Sequence, residues 1–287
     1  MLDVRHQTLD MSEPIKLIAI DMDGTLLRSD KTVDPQTADD IRTAVEKGIH
    51  IAYCTGRGTA EMQDTFRVLP MIRYAVLTSG AVVYDRAEDR FLYQNGVGHP
   101  YIEQIVETAA RYHAMPHFLT DRESIIGRAD LPHMADFHMG IYEPMFRQIT
   151  RRVSDMAAEG MCHQTIAKVN IYFRTAGDRD AGYEELKHLP LQVTLSENTM
   201  LEMTAPATNK GSGLERLAAY LQIPMAQTAA IGDNYNDVDM MKAAGFSVSM
   251  GNAAAEIREL CDHVTADNDH NGAGQAIRFI LQRQTGS

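Results

Sequence analysis

Two aspartates stand two residues apart where an apolar run ends, in "LIAIDMDGTLL" (17–27). An isolated Asp-x-Asp can be a turn with a helix cap, since Asp and Gly are common there. At average usage, however, Asp-x-Asp-Gly-Thr arises by chance in only about one chain in several hundred of this length. Its place straight after a buried strand makes the chemical reading of Asp21 and Asp23 the stronger one. Three other segments carry polar chemistry: Thr55-Gly56-Arg57, Asn209-Lys210-Gly211, and Gly232-Asp233-Asn234-Tyr235-Asn236-Asp237. In a parallel α/β sheet, ligands bind beyond the carboxyl ends of the strands, so the four are expected to share one crevice. Acids brought together there would raise one another's pKa and oppose folding. A hard divalent cation resolves the conflict: Mg²⁺ takes one or two carboxylates and leaves room for a phosphate. Lys210 opens a helix, where the dipole disfavours a cation unless an anion shares the pocket. Thr55 offers a hydroxyl to a phosphate oxygen, and Gly56 lets its N–H approach closely.

The elements needed to position these residues are legible as alternation. Residues 15–20 (IKLIAI) and 49–54 (IHIAYC) read as buried parallel strands. Between them a helix starts with Asp34 as cap and Pro35 in its first turn, and stops at Gly48. A helix over 58–69 and a strand "YAVLTSGAVVYD" (74–85) follow. From 86 to 203 the texture changes to short strand-like runs with helices near 99–112, 144–158 and 178–188. Past Pro206 the alternation returns: helix 211–221, strand 228–233, helix 235–244, strand "FSVSM" and two last helices. This predicts an α/β fold, a doubly wound parallel-sheet core (14–85 and 204–287) with an inserted α+β unit (86–203).

Bulk composition narrows the function classes. A formal charge of −12 argues against a nucleic-acid or anionic-membrane surface. Cys54, Cys162 and Cys261 are odd in number and widely spaced, as in a reducing compartment rather than a disulfide framework. No apolar run approaches the roughly 18 residues of a membrane helix. The opening "MLDVRHQTLDMSEP" lacks the apolar centre of a signal peptide. Residues 1–13 read as a flexible lead-in, Met11 as an alternative start, and the location as cytoplasmic.

The motifs "DMDGTLL", "TGR", "NKGSGLERLAAYL", "GDNYNDVDM" and "MGNAAAEI" stand in the order and spacing of the haloacid dehalogenase superfamily. The chain resembles its Cof-like sugar-phosphatase branch, which carries a large cap between the second and third motifs. The resemblance implies that Asp21 attacks phosphorus and forms an aspartyl-phosphate. It implies that Asp23 protonates the leaving alkoxide and then activates water, a role needing a raised pKa that burial beside other acids would supply. It gives Mg²⁺ to the Asp21 carboxylate, the Asp23 backbone carbonyl and Asp233. Thr55, Gly56, Lys210 and Asn236 would hold the phosphoryl oxygens, Asp237 would orient Lys210, and Arg57 would support. The implied substrate is a small phosphorylated metabolite, of the sugar-phosphate kind.

Two positions depart from that pattern: Ser79 stands where the family usually has Asn, and "NGAG" (271–274) replaces "DGV". His113-x-x-x-His117 invites a metal reading, but Pro116 breaks the helical spacing. Arg122, Arg128 and Lys168 read as solvated cations, Cys54 as a packing thiol, and Met200 and Met203 as candidates for the cap mouth. A sugar phosphomutase would use the same residues and yield an isomeric ester. A non-enzymatic acyl-phosphate sensor would have no need of Asp23.

Overall fold

The computed structural model describes residues 13–163, 165–196 and 198–284. The lead-in over 1–12, including Met11, lies outside them. Among the described residues fourteen strands follow in chain order: β1 (Leu17–Ile20), β2 (His50–Cys54), β3 (Tyr74–Leu77), β4 (Val82–Asp85), β5 (Arg90–Gln94), β6 (Met115–Leu119), β7 (Ser124–Gly127), β8 (Thr150–Val153), β9 (Lys168–Tyr172), β10 (Gln192–Ser196), β11 (Met200–Thr204), β12 (Thr228–Gly232), β13 (Phe246–Ser249) and β14 (His263–Val264). They form an eight-stranded sheet in the order β14-β13-β12-β1-β2-β3-β4-β5 and a six-stranded sheet in the order β10-β11-β9-β6-β7-β8.

The described residues divide into two compact units, one built on 13–56, 65–93 and 209–284, the other on 57–64 and 94–208. In the first, β1 sits between β12 and β2, and all three run parallel. Every residue of β1 is fully buried, which is why it reads as a continuous apolar run rather than an alternating one. The helix Pro35–Glu46 starts as expected, with the Asp34 carboxylate accepting the Gln36 N–H.

The run over 74–85 is not one strand. Thr78, Ser79 and Gly80 all take left-handed backbone (φ 48°, 56° and 97°), and the chain reverses into the antiparallel pair β3–β4. A Cβ at Gly80 would run into the Asn209 carbonyl, so only glycine closes this turn. Ser79 keeps a backbone bond to the Thr55 carbonyl, 3.0 Å long. Asn adopts left-handed backbone more readily than Ser, which gives the family's usual residue a conformational reason.

The second unit packs helices His99–Arg111, Met156–Met161 and Ala176–Leu186 with one face of its mixed sheet, around Phe118, Val169, Ile171, Phe173 and Leu201. The expected helix over 144–158 is broken: helix Glu143–Ile149 ends where Thr150, β-branched, opens β8, and a second helix follows at Met156. Strands β5, β6 and β14 have no counterpart in the sequence reading. Among the described residues no helix is long and apolar enough to cross a membrane.

Candidate active site

The carboxyl ends of three neighbouring strands deliver the first residues of the site. Asp21 directly follows β1, and its N–H continues the ladder to the Ile231 carbonyl at 2.9 Å. Asp233 directly follows β12, and Thr55 directly follows β2, bonded through its N–H to the Val76 carbonyl at 2.9 Å. Asp21 and Thr55 are buried, at 5 % and 2 % exposed.

Lys210 arrives from far along the chain as the first residue of helix Lys210–Tyr220. Asn209 caps that helix by accepting the Ser212 N–H at 2.8 Å. Gly211 lets the helix start approach the segment after β12, since a Cβ there would lie 2.6 Å from the Asp239 carbonyl. Lys210 is 1 % exposed, and its Nζ donates at 2.6 Å to both Asp21 Oδ1 and Asp237 Oδ1. The other Asp237 oxygen accepts the Asp233 and Asn234 N–H groups, each at 3.0 Å. Asp237 therefore ties the lysine to the loop that carries Asp233. That is the geometry of a group that orients Lys210.

Carboxylate oxygens of Asp21, Asp233 and Asp237 lie within 4.8 Å of one another. Burial and the Asp237 charge push Asp21 up to about 8, against the pull of Lys210. Burial, then Asp237, raise Asp233 to about 6. Burial would lower the Lys210 pKa, but the Asp21 and Asp237 charges outweigh it and hold the ammonium well above its usual value. Three crowded acids against one ammonium leave negative charge uncompensated. An all-oxygen donor set of this kind fits a hard divalent cation. Asp237 gives one oxygen to the Lys210 ammonium and the other to two backbone N–H groups, whereas Asp21 and Asp233 stand at neighbouring strand ends as the carboxylates suited to hold it.

Asp23 is placed differently from the expectation. Its side chain is 40 % exposed and pairs with Lys31 at 2.9 Å, rather than being buried among acids. The turn after it explains the departure. Gly24 has φ 85°, and a Cβ there would overlap the Asp233 carboxylate, so the chain swings Asp23 outward as it passes that acid. Gly56 is half-buried beyond β2, Asn236 is exposed in the single 3₁₀ turn Tyr235–Asp237, and Arg57 falls in the second unit. The sequence reading missed Thr25, whose buried hydroxyl donates to Asp233 Oδ1 at 2.9 Å. It also missed Asn252, whose amide donates to Asp233 Oδ2 at 3.2 Å. Both lie inside motifs already singled out, but no spacing rule ties either to Asp233.

Several weaker candidates resolve as packing. Cys54 is fully buried, and burial pushes its thiol well above the usual range. Met203 packs in the core beside Phe118, and Met200 beside Tyr172 and Phe146, so neither is an exposed rim residue. Lys168 is not solvated: it is buried and paired with Glu202 at 3.0 Å. His117 lies in one row with Asn170 and Glu202 across the second sheet, bonded to Ser124 at 2.7 Å. Burial, then Lys168, lower it to about 3, and it is neutral. His113 is exposed and left-handed, so the two histidines form no pair on a helix face. In "NGAG", Asn271 is left-handed and accepts the Thr37 hydroxyl at 2.6 Å, a structural use.

The geometry has counterparts among known proteins. The sequence model of the family described as haloacid dehalogenase-like hydrolase matches residues 18–277. Phosphatase YwpJ of Bacillus subtilis is 28 % identical over 93 % of this chain and 100 % of its own length. The HMP-PP phosphatase of Serratia proteamaculans is 28 % identical over 85 % of this chain and 87 % of its own. A crystal structure of a haloacid dehalogenase-like hydrolase from Bacteroides thetaiotaomicron superposes with a TM-score of 0.82 at 25 % identity, covering 93 % of this chain and 99 % of that one. With strand-end acids, a buried lysine and a family match running from β1 into the last helix, the chain belongs to the haloacid dehalogenase-like hydrolases, in their Cof-like phosphatase branch.

Proposed function

We propose that this hydrolase is a Mg²⁺-dependent phosphatase of small phosphorylated metabolites, with sugar phosphates as the favoured class. The observation that carries the reading is the buried Asp21–Lys210–Asp237 chain beside Asp233, one cluster that would supply a nucleophile, a cation and a metal ligand. The relatives' names support the substrate class. YcsE of Bacillus subtilis, 26 % identical over 96 % of this chain, is a 5-amino-6-(5-phospho-D-ribitylamino)uracil phosphatase.

In this reading Asp21 attacks phosphorus, the P–O bond to the leaving group breaks, and water then cleaves the aspartyl-phosphate. Asp21, the Asp23 backbone carbonyl and Asp233 would hold Mg²⁺, which when bound supplies charge stabilisation at the phosphoryl oxygens. Lys210 neutralises charge developing on the same oxygens, and the Thr55 hydroxyl, the Gly56 N–H and Asn236 donate to them. Asp237 keeps Lys210 aimed, and Arg57 has a supporting role. Asp23 gives its proton to the leaving oxygen and then takes one from water. Its exposed pair with Lys31 is no obstacle, because such pairs are worth about 0–1 kcal/mol and exchange with an arriving substrate. The unit built on 94–208 is, in this reading, the cap that selects the leaving group, and cytoplasm is its expected compartment. A mutase would use the same residues, but the curated relatives named above are phosphatases, which favours release to water.

The test is phosphate release from an aryl phosphate and a panel of phosphorylated metabolites, with Mg²⁺ and with EDTA. Turnover that EDTA abolishes is expected; metal-independent turnover, or an isomeric ester in place of free phosphate, contradicts the proposal. Asp23→Asn separates the acid role from general damage. It should lower turnover of alkyl esters by about 10²–10⁴-fold, the range of general acid–base catalysis, and cost aryl esters much less in the first step. Equal losses for both in single-turnover phosphoryl transfer would remove Asp23 from that role.

A further inference from the structure

The motif "MGNAAAEI" has no part in the scheme above, yet its asparagine reaches the site. Asn252 follows β13 and Gly251, and its Nδ2 donates twice, to the Gly24 carbonyl at 3.0 Å and to Asp233 Oδ2 at 3.2 Å. Its Oδ1 accepts the Asn268 N–H at 3.2 Å, which fixes the amide's orientation. Asp233 is thus held at both oxygens by neutral donors, Thr25 at Oδ1 and Asn252 at Oδ2. Gly24, the other acceptor, follows Asp23, whose backbone carbonyl is assigned to the metal. One amide therefore touches two of the three segments proposed as ligands.

We propose that Asn252 is a positioning residue for the divalent-cation site, fixing the Asp233 carboxylate against the Asp23–Gly24 backbone. The inference rests on the metal-dependent reading above. Asn252 is itself exposed, so water replaces its bonds when it is removed and folding loses little. What water does not replace is direction. With Oδ2 freed, Asp233 turns about its side-chain bonds, and the distance between ligand segments is no longer set. Outer partners of metal-ligating groups act in this way, and their loss costs roughly 10–100-fold in affinity. A neighbouring bond provides the control. Asn268 Nδ2 donates to the Leu27 carbonyl at 3.0 Å, bracing the same loop without touching Asp233.

The test is Mg²⁺ binding to the full-length protein by isothermal titration calorimetry, without substrate, for wild type, Asn252→Ala and Asn268→Ala. Melting is followed in EDTA. Asn252→Ala should weaken Mg²⁺ by about tenfold or more, while Asn268→Ala stays within about threefold. Asn252→Ala should melt within about 2 °C of wild type, as expected of an exposed substitution, and the half-buried Asn268→Ala within about 4 °C. Unchanged affinity in Asn252→Ala overturns the proposal, as do equal losses in both variants, which would mean general loosening of the loop. A wild type that binds no divalent cation sinks the metal reading itself, an outcome distinct from either.

Discussion

Asp21→Asn should abolish turnover, by at least about 10⁴-fold, the scale set by removing a nucleophile, while the protein folds normally. The amide keeps the shape of the side chain and an oxygen for Lys210 Nζ, now 2.6 Å away, so the local packing survives. It cannot form an acyl-phosphate. The substitution also removes one of three carboxylates crowded within 4.8 Å, and in EDTA the variant should melt no lower than wild type. Activity within tenfold of wild type would exclude Asp21 as the attacking group. A large drop in melting temperature would mean that the lost activity reports misfolding.

Lys210→Met should have the second largest effect, and on two observables at once. The ammonium is 1 % exposed and is shared by Asp21 and Asp237, so its removal leaves buried acids uncompensated. Breaking a buried charge pair from one side costs about 3 kcal/mol or more. At roughly 2–4 °C per kcal/mol, the first unit should melt roughly 6–12 °C lower in EDTA. Mg²⁺ should return part of that loss, because a cation at Asp21 and Asp233 relieves the same repulsion. Turnover should fall by about 10²–10³-fold even with saturating Mg²⁺, as when a charge-stabilising donor is deleted. A variant that melts like wild type in EDTA would show that Lys210 is not the counter-charge of these acids.

The sequence shows much of this arrangement because the site lies at strand ends. Past the exposed His50 that opens β2, strands β1, β2 and β12 are buried on both faces and mostly apolar, so the acids and hydroxyls that follow them stand out. Lys210 was legible for a different reason, since a lysine opening a helix makes little sense without an anion nearby. What stayed hidden depends on backbone geometry and tertiary pairing. The left-handed run Thr78–Gly80 turns an apparent single strand into a hairpin, and β-propensity does not register that reversal. The conformation of Gly24 turns Asp23 toward Lys31, where the sequence suggested a buried acid. Lys168 looked solvated because nothing local announces Glu202, 34 positions away and paired across the sheet. Asn252 was visible only as part of a motif, since its contacts reach back 228 positions to Gly24.

The central claim is that Asp21 carries the phosphoryl group during turnover. Asp23→Asn, which slows the water step, should be mixed with an aryl phosphate and Mg²⁺, quenched in acid, and reduced with borohydride. Reduction turns an aspartyl-phosphate into homoserine, and peptide mass spectrometry locates it. Homoserine at position 21, absent when EDTA replaces Mg²⁺, is the predicted result. Homoserine at another aspartate, or none while the variant still turns over, would contradict the account.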